Sequence, residues 1–196
     1  MEAIVRLAAR GDGVTESGRY VAGAVPGDTV DGDVIAPGPY HIAPACSHFG
    51  VCGGCQLQHA DDAVLADFVS GRILGALAGV GIVPETVHPA HLSPPGARRR
   101  ASFRLVRDGG GVRLGFNVEG SSAVVDLAEC PVVRPALWDA ARTLRDAFAP
   151  RLRTGHAVGM TLTDTVSGFD VLLTNLALPS SDVGALAALA SQAGLA

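Results

Sequence analysis

Three cysteines fall within ten positions, in the run Cys46-Ser-His-Phe-Gly-Val-Cys52-Gly-Gly-Cys55-Gln-Leu-Gln-His59. Their spacing is C-x5-C-x2-C. The remaining cysteine of the chain, Cys130, comes after 74 intervening residues and is followed by Pro131. Three soft ligands on one tight loop and a fourth delivered from afar describe a tetrathiolate metal site. Gly50, Gly53 and Gly54 let the loop backbone turn sharply and approach a bulky inorganic core. A glycine-rich turn also presents amides to the sulfurs of a cluster, and the Cys-Pro pair matches the C-P ending of ferredoxin motifs.

Other chemistries compete for the same residues. Structural zinc takes two Cys-x2-4-Cys pairs, whereas here the first gap is five and the fourth cysteine stands alone. A disulfide needs an oxidising compartment, and nothing in the sequence points to export. A redox pair at Cys52 and Cys55 calls for a following helix and no third cysteine. Four unrelated buried cysteines would not cluster three within ten positions. Spacing favours an iron–sulfur site over these. His48 and His59 flank the loop and read as structural residues, because four thiolates already complete a ligand set.

The elements that must position these ligands follow from turn chemistry and periodicity. Residues 2–37 read as short strands separated by Gly11-Asp12-Gly13 and Pro26-Gly27-Asp28, a pattern of a small barrel or sandwich. Asp61 and Asp62 cap a helix in which Val64, Leu65, Phe68, Val69, Ile73, Leu74 and Leu77 recur at helical spacing, and Gly79 to Gly81 ends it. These apolar stripes are expected to be core. Residues 86–128 return to strands. Ala101–Val106 and Val112–Phe116 flank the hairpin turn Asp108-Gly109-Gly110-Gly111, and Ala123–Leu127 leads a strand into Cys130. Residues 135–149 form an amphipathic helix carrying Leu137, Trp138, Ala141, Leu144 and Phe148. Ala157–Thr163 pairs with Phe169–Leu176, and Ser180, Ser181 and Asp182 cap a last helix.

The bulk numbers leave room for this plan. The 196 residues fit one large domain or two small ones, and 48% apolar content is ample for a core. The N-terminus lacks the apolar segment of a signal peptide, and no run of 18 apolar residues offers a membrane span. A cytoplasmic protein is expected. The net charge of −4 excludes a uniformly basic nucleic-acid binder. Charge is nevertheless uneven. Residues 94–115 hold six arginines (Arg98, Arg99, Arg100, Arg104, Arg107, Arg113) against Asp108 alone, while residues 1–62 hold three arginines against eight acids. Guanidinium groups along a sheet make a phosphate track, with Phe103 or Phe116 available to stack on bases. The plainer alternative is a solvated face paired with acids of the N-terminal segment.

Taken together, these motifs resemble a known family. Gly11-Asp-Gly-Val14, Pro26-Gly-Asp28, the cysteine block with Gly-Gly and Leu57-Gln58-His59, Arg98-Arg-Arg-Ala101, Leu114-Gly-Phe116 and Val125-Asp-Leu-x-x-Cys130-Pro131 are similar to the N-terminal half of the iron–sulfur 23S rRNA uracil-5 methyltransferases. The resemblance implies an α+β chain: a small OB-like, TRAM-type β-barrel over residues 1–44, an iron–sulfur loop over 45–60, and a central α+β domain over 61–196 that supplies the fourth cysteine. It implies a [4Fe–4S] cluster on Cys46, Cys52, Cys55 and Cys130, and RNA, rRNA before tRNA, as the partner. Candidate RNA contacts are Arg98, Arg99, Arg100, Phe103, Arg104 and Arg113. It places S-adenosylmethionine on a C-terminal Rossmann-like domain outside these residues, since no G-x-G-x-x-G occurs here. Uracil methylation at carbon 5 needs a thiolate to attack carbon 6, and with four cysteines committed to the cluster the chain alone is expected to be inactive. Val30 to Pro44 is short for the closing strands of a TRAM barrel, so that barrel is expected to be incomplete. Two rival readings are a standalone iron–sulfur RNA-binding module and a zinc-stabilised structural domain.

Overall fold

The computed structural model describes residues 1–176 and Gly184. The helix expected after Ser180 lies outside the described residues. Among the described residues the chain is mostly β with two helices. It divides into two compact units: Met1–Gly50 with Cys55–Ser93, and Val51–Gly54 with the residues from Pro94 onward.

The first unit is built on an antiparallel sheet of β1 (Glu2–Leu7), β2 (Gly13–Thr15), β3 (Tyr20–Val21), β4 (Thr29–Asp31) and β5 (Val34–Ala36), in the order β3-β2-β1-β4-β5. The Gly and Pro turns read from the sequence separate these strands. The register between β1 and β2 shifts between Ile4 and Arg6, an irregularity of the kind that increases local twist and curls a sheet. Ile4, Val21, Ala24 and Val30 form its apolar centre.

Helix α1 (Asp62–Ala78) follows the cysteine loop, and the Asp61 carboxylate accepts from the Val64 amide at 2.9 Å. That satisfies one of the orphan amides of the first turn. The expected core stripe is not observed. Val64 is buried with Val25 and Ala60, but Val69 is 41% and Ile73 59% exposed. Small residues on the other faces leave this helix apolar nearly all round, so periodicity marked a helix without marking which side is covered.

The second unit carries a four-stranded antiparallel sheet, β7-β6-β8-β9, from β6 (Arg100–Asp108), β7 (Gly111–Gly115), β8 (Ala157–Thr165) and β9 (Gly168–Thr174). Helix α2 (Pro135–Phe148) packs on one face of it. Proline at the first helical position suits the start of α2. Leu137, Trp138, Ala141, Leu144 and Phe148 are all buried, against Ala101, Phe103 and Leu105 of β6 and Val158, Met160 and Leu162 of β8. Alternation then sends Arg100, Ser102 and Arg104 to the opposite, exposed face.

The strand expected at Ala123–Leu127 is only partly made. Val125 and Leu127 donate to the carbonyls of Phe116 and Leu114, both at 2.9 Å. The Asp126 carboxylate takes the Leu114 amide at 3.0 Å. A side chain thus occupies a place in the ladder that a backbone carbonyl would fill, and regular pairing stops there. Likewise residues 86–97 contain no strand. Three prolines in that stretch explain this, since proline cannot donate to a ladder. No helix of the described residues is long and apolar enough to cross a membrane.

Candidate functional site

The cysteine loop is anchored from both ends by ordinary hydrogen bonding. In the first unit the Cys46 amide donates to Gln58 Oε1 at 3.1 Å, and the Phe49 amide closes a turn on the Cys46 carbonyl at 3.1 Å. His48 Nδ1 stands 3.8 Å from Cys46 Sγ. In the second unit the loop tip is pinned to residues 117–119: the Gly53 amide donates to the Asn117 carbonyl at 2.9 Å, and Cys52 pairs with Val118. The glycines are needed there. A Cβ on Gly54 would stand 3.1 Å from the Phe116 ring and 3.4 Å from Cys52 Sγ, and one on Gly53 would stand 3.0 Å from the Asn117 carbonyl oxygen. Any larger residue would press on the backbone and on the thiol that the loop presents.

Cys130 is placed by its sequel. Gly96 and Arg98 donate to the Pro131 and Val132 carbonyls at 2.8 and 3.1 Å, and Val133 is buried in the second unit's core. Cys52 and Cys130 both pack against that core, whereas Cys46 and Cys55 belong to the first unit. All four are half-buried, and none of them is bridged by a disulfide. Among the described residues, no group of three or more His, Cys, Asp or Glu side chains stands close enough together to hold a metal ion.

Next to the loop lies a buried polar cluster that spacing gave no hint of. Asp28 is fully buried and accepts from the Val25 amide (2.9 Å), the Gly38 amide (2.7 Å) and His41 Nδ1 (2.8 Å). His59 is 2% exposed, with its ring centroid 5.2 Å from both His41 and Phe49. Neither ring nitrogen of His59 has a hydrogen-bond partner among the described residues. The Ala24 carbonyl favours the protonated ring but does not meet hydrogen-bond geometry. Burial, and then the neighbouring His41, hold the His59 pKa below its ordinary value of 6.5, against the opposing pull of Asp28. His59 is thus buried without the partners a buried imidazole normally finds.

The basic stretch sorts into engaged and available groups. Arg113 is ion-paired with Asp108 at 2.6 Å. Arg99 donates through Nε and Nη2 to the Asp164 carbonyl at 3.2 and 2.9 Å, and Arg134 pairs with the Asp164 carboxylate at 2.5 Å. Arg107 turns to the Ala149 carbonyl. Arg98, Arg100 and Arg104 are exposed and have no ion-pair partner among the described residues. Phe103 points the other way: it is 1% exposed, with its ring 5.1 Å from Phe116 and 5.8 Å from Trp138. Strand alternation puts it in the core, so it cannot stack on a base. Ser102 and Thr161, hydrogen-bonded at 2.8 Å, add hydroxyls to the exposed face between Arg100 and Arg104. Sequence reading missed this contribution because β8 lies 59 residues away from its partner position.

Comparison with known proteins agrees with the motifs. No protein-family profile matches the chain. It is 42% identical to an uncharacterized RNA methyltransferase of Zymomonas mobilis over 176 residues, covering 88% of this chain and 44% of that protein. It is 34% identical to another from Rhizobium meliloti, covering 89% and 46%. A 23S rRNA (uracil(1939)-C(5))-methyltransferase of Halomonas elongata is 36% identical over 158 residues, 70% of this chain and 32% of that protein. The class is therefore that of the RNA methyltransferases. More narrowly, the chain belongs to the family that includes the 23S rRNA uracil-5 enzymes, and it spans about half the length of the first of these relatives, as a match to the N-terminal half would.

Proposed function

We propose that this chain is the RNA-gripping, [4Fe–4S]-holding portion of a cytoplasmic S-adenosylmethionine-dependent methyltransferase acting at carbon 5 of uracil in 23S rRNA. The curled first sheet serves as a TRAM-type barrel. Cys46, Cys52, Cys55 and Cys130 hold the cluster, whose contribution when bound is a rigid tetrathiolate cross-link between the loop and the Cys130 segment. The methyl donor and the attacking thiolate reside outside these residues, so the chain alone binds RNA without methylating it.

The observation that carries the RNA reading is the exposed face of the second sheet. There Arg100 and Arg104 stand on one strand, with Arg98 just before it and two hydroxyls between them. Such a face suits contact with phosphates and 2′-hydroxyls. Substituting Arg98, Arg100 and Arg104 together with alanine is expected to weaken binding of a 23S rRNA stem-loop about 100-fold at low salt and to reduce the salt slope by about two to three, since each phosphate contact contributes roughly 0.7 to 0.9. Unchanged affinity and slope would refute this face as the RNA contact.

A further inference from the structure

The first unit contains a cleft of about 510 Å³ between β1 and the first half of α1, a volume suited to a small ligand. Its walls include Arg6, Tyr40, Asp67, Phe68, Gly71 and Arg72. We propose that this cleft holds one nucleotide of single-stranded RNA, with its base against the aromatic rings and its flanking phosphates on the two guanidinium groups. The idea rests on the RNA reading above and adds to it a second, separate contact.

Three observations support it. First, the cationic groups are available: neither Arg6 nor Arg72 has an ion-pair partner among the described residues. Both line the cleft, against the single carboxylate of Asp67. Second, the aromatic surface is prepared. The Arg72 guanidinium lies 5.5 Å from the Phe68 ring centroid, in cation–π range. Tyr40 is 44% exposed, and its ring is seated over Gly27, where an added Cβ would come within 3.1 Å of the ring. A ring held in place and open to solvent is a stacking platform, and stacking accepts any base. Third, space is kept open. Gly71 sits in the interior of α1, where glycine is unfavourable relative to alanine, and a Cβ there would meet nothing within 4 Å. Asp67, the carboxylate on the wall, would accept from a base carrying an exocyclic amine, which uracil lacks.

The experiment uses the full chain and fluorescein-labelled octamers of cytidylate and uridylate, followed by anisotropy across a salt series. Gly71→Leu should lower oligocytidylate affinity about tenfold, the range of one lost stack, while the melting temperature stays the same or rises. Arg6→Gln with Arg72→Gln should reduce the salt slope by about 1.4, two contacts at about 0.7 each. Oligocytidylate should bind more tightly than oligouridylate; equal affinities would overturn the role of Asp67. If Gly71→Leu and the double arginine variant both bind like the parent chain, the cleft belongs to some other occupant, such as a polypeptide, and the proposal fails. If those variants are silent while the alanine triple at Arg98, Arg100 and Arg104 loses binding, the RNA reading stands without the cleft. If the parent chain binds no oligonucleotide and no stem-loop, both fail.

Discussion

The two α-helices among the described residues have similar lengths and opposite fates. In α2 the apolar residues line one side, and every member of the stripe is buried on the second sheet. In α1 the apolar residues surround the axis, and only Val64 is buried. The contrast extends to the cores they serve. The second unit has one large apolar cluster beneath a basic sheet face. The first has smaller clusters and a buried Asp28–His41–His59 group. Hydrophobic periodicity reports burial when it is one-sided; when apolar residues run all round, it reports only that a helix forms.

The sharpest way to break this contrast is to truncate one residue in each helix. Leu144→Ala, at a side chain 1% exposed, should destabilise the second unit by about 2–5 kcal/mol through lost burial and a residual cavity. Ile73→Ala, at a side chain 59% exposed, should change stability by no more than about 0.5 kcal/mol. Urea unfolding of both variants measures the difference, and equal losses would show that α1 is covered after all.

A smaller effect distinguishes the two cores by pH. Because the folded-state pKa of His59 lies below its ordinary 6.5, the unfolded chain binds more protons there at mildly acid pH. The neutral ring's contribution is therefore fully present above pH 6.5 and is lost as pH falls from that value through the folded pKa. The slope is at most about 1.4 kcal/mol per pH unit for one proton. His59→Leu should flatten this part of the stability–pH curve relative to the parent chain. An unchanged curve would mean that His59 does not titrate differently on folding.

Much of this architecture was legible in the sequence because local signals agreed with one another. The Asp108–Gly111 turn, the Asp61 cap and the α2 stripe each had a physical reason to form where they do. What stayed hidden depends on pairing across the chain. Nothing local marks Asp28 as the anchor of Gly38 and His41, ten and thirteen residues on. Asp126 breaks a strand by taking the Leu114 amide, and Asp164 gathers Arg99 and Arg134 from distant segments. Phe103 shows the same limit within one strand. Its proximity to arginines suggested stacking on RNA, but alternation on β6 sends it to the opposite face from Arg104. For the cysteine loop, the relatives support the family to which the motifs point, while among the described residues no group stands close enough together to hold a metal ion.

The central claim, that Cys46, Cys52, Cys55 and Cys130 together hold an iron–sulfur cluster, is tested most directly by assaying iron, acid-labile sulfide and zinc on anaerobically purified chain beside its visible spectrum. About four irons and four sulfides per chain with a brown charge-transfer band are expected, with loss of that band on Cys130→Ser. One zinc per chain and no colour would contradict it, leaving the same four thiolates as ligands of a structural zinc site instead.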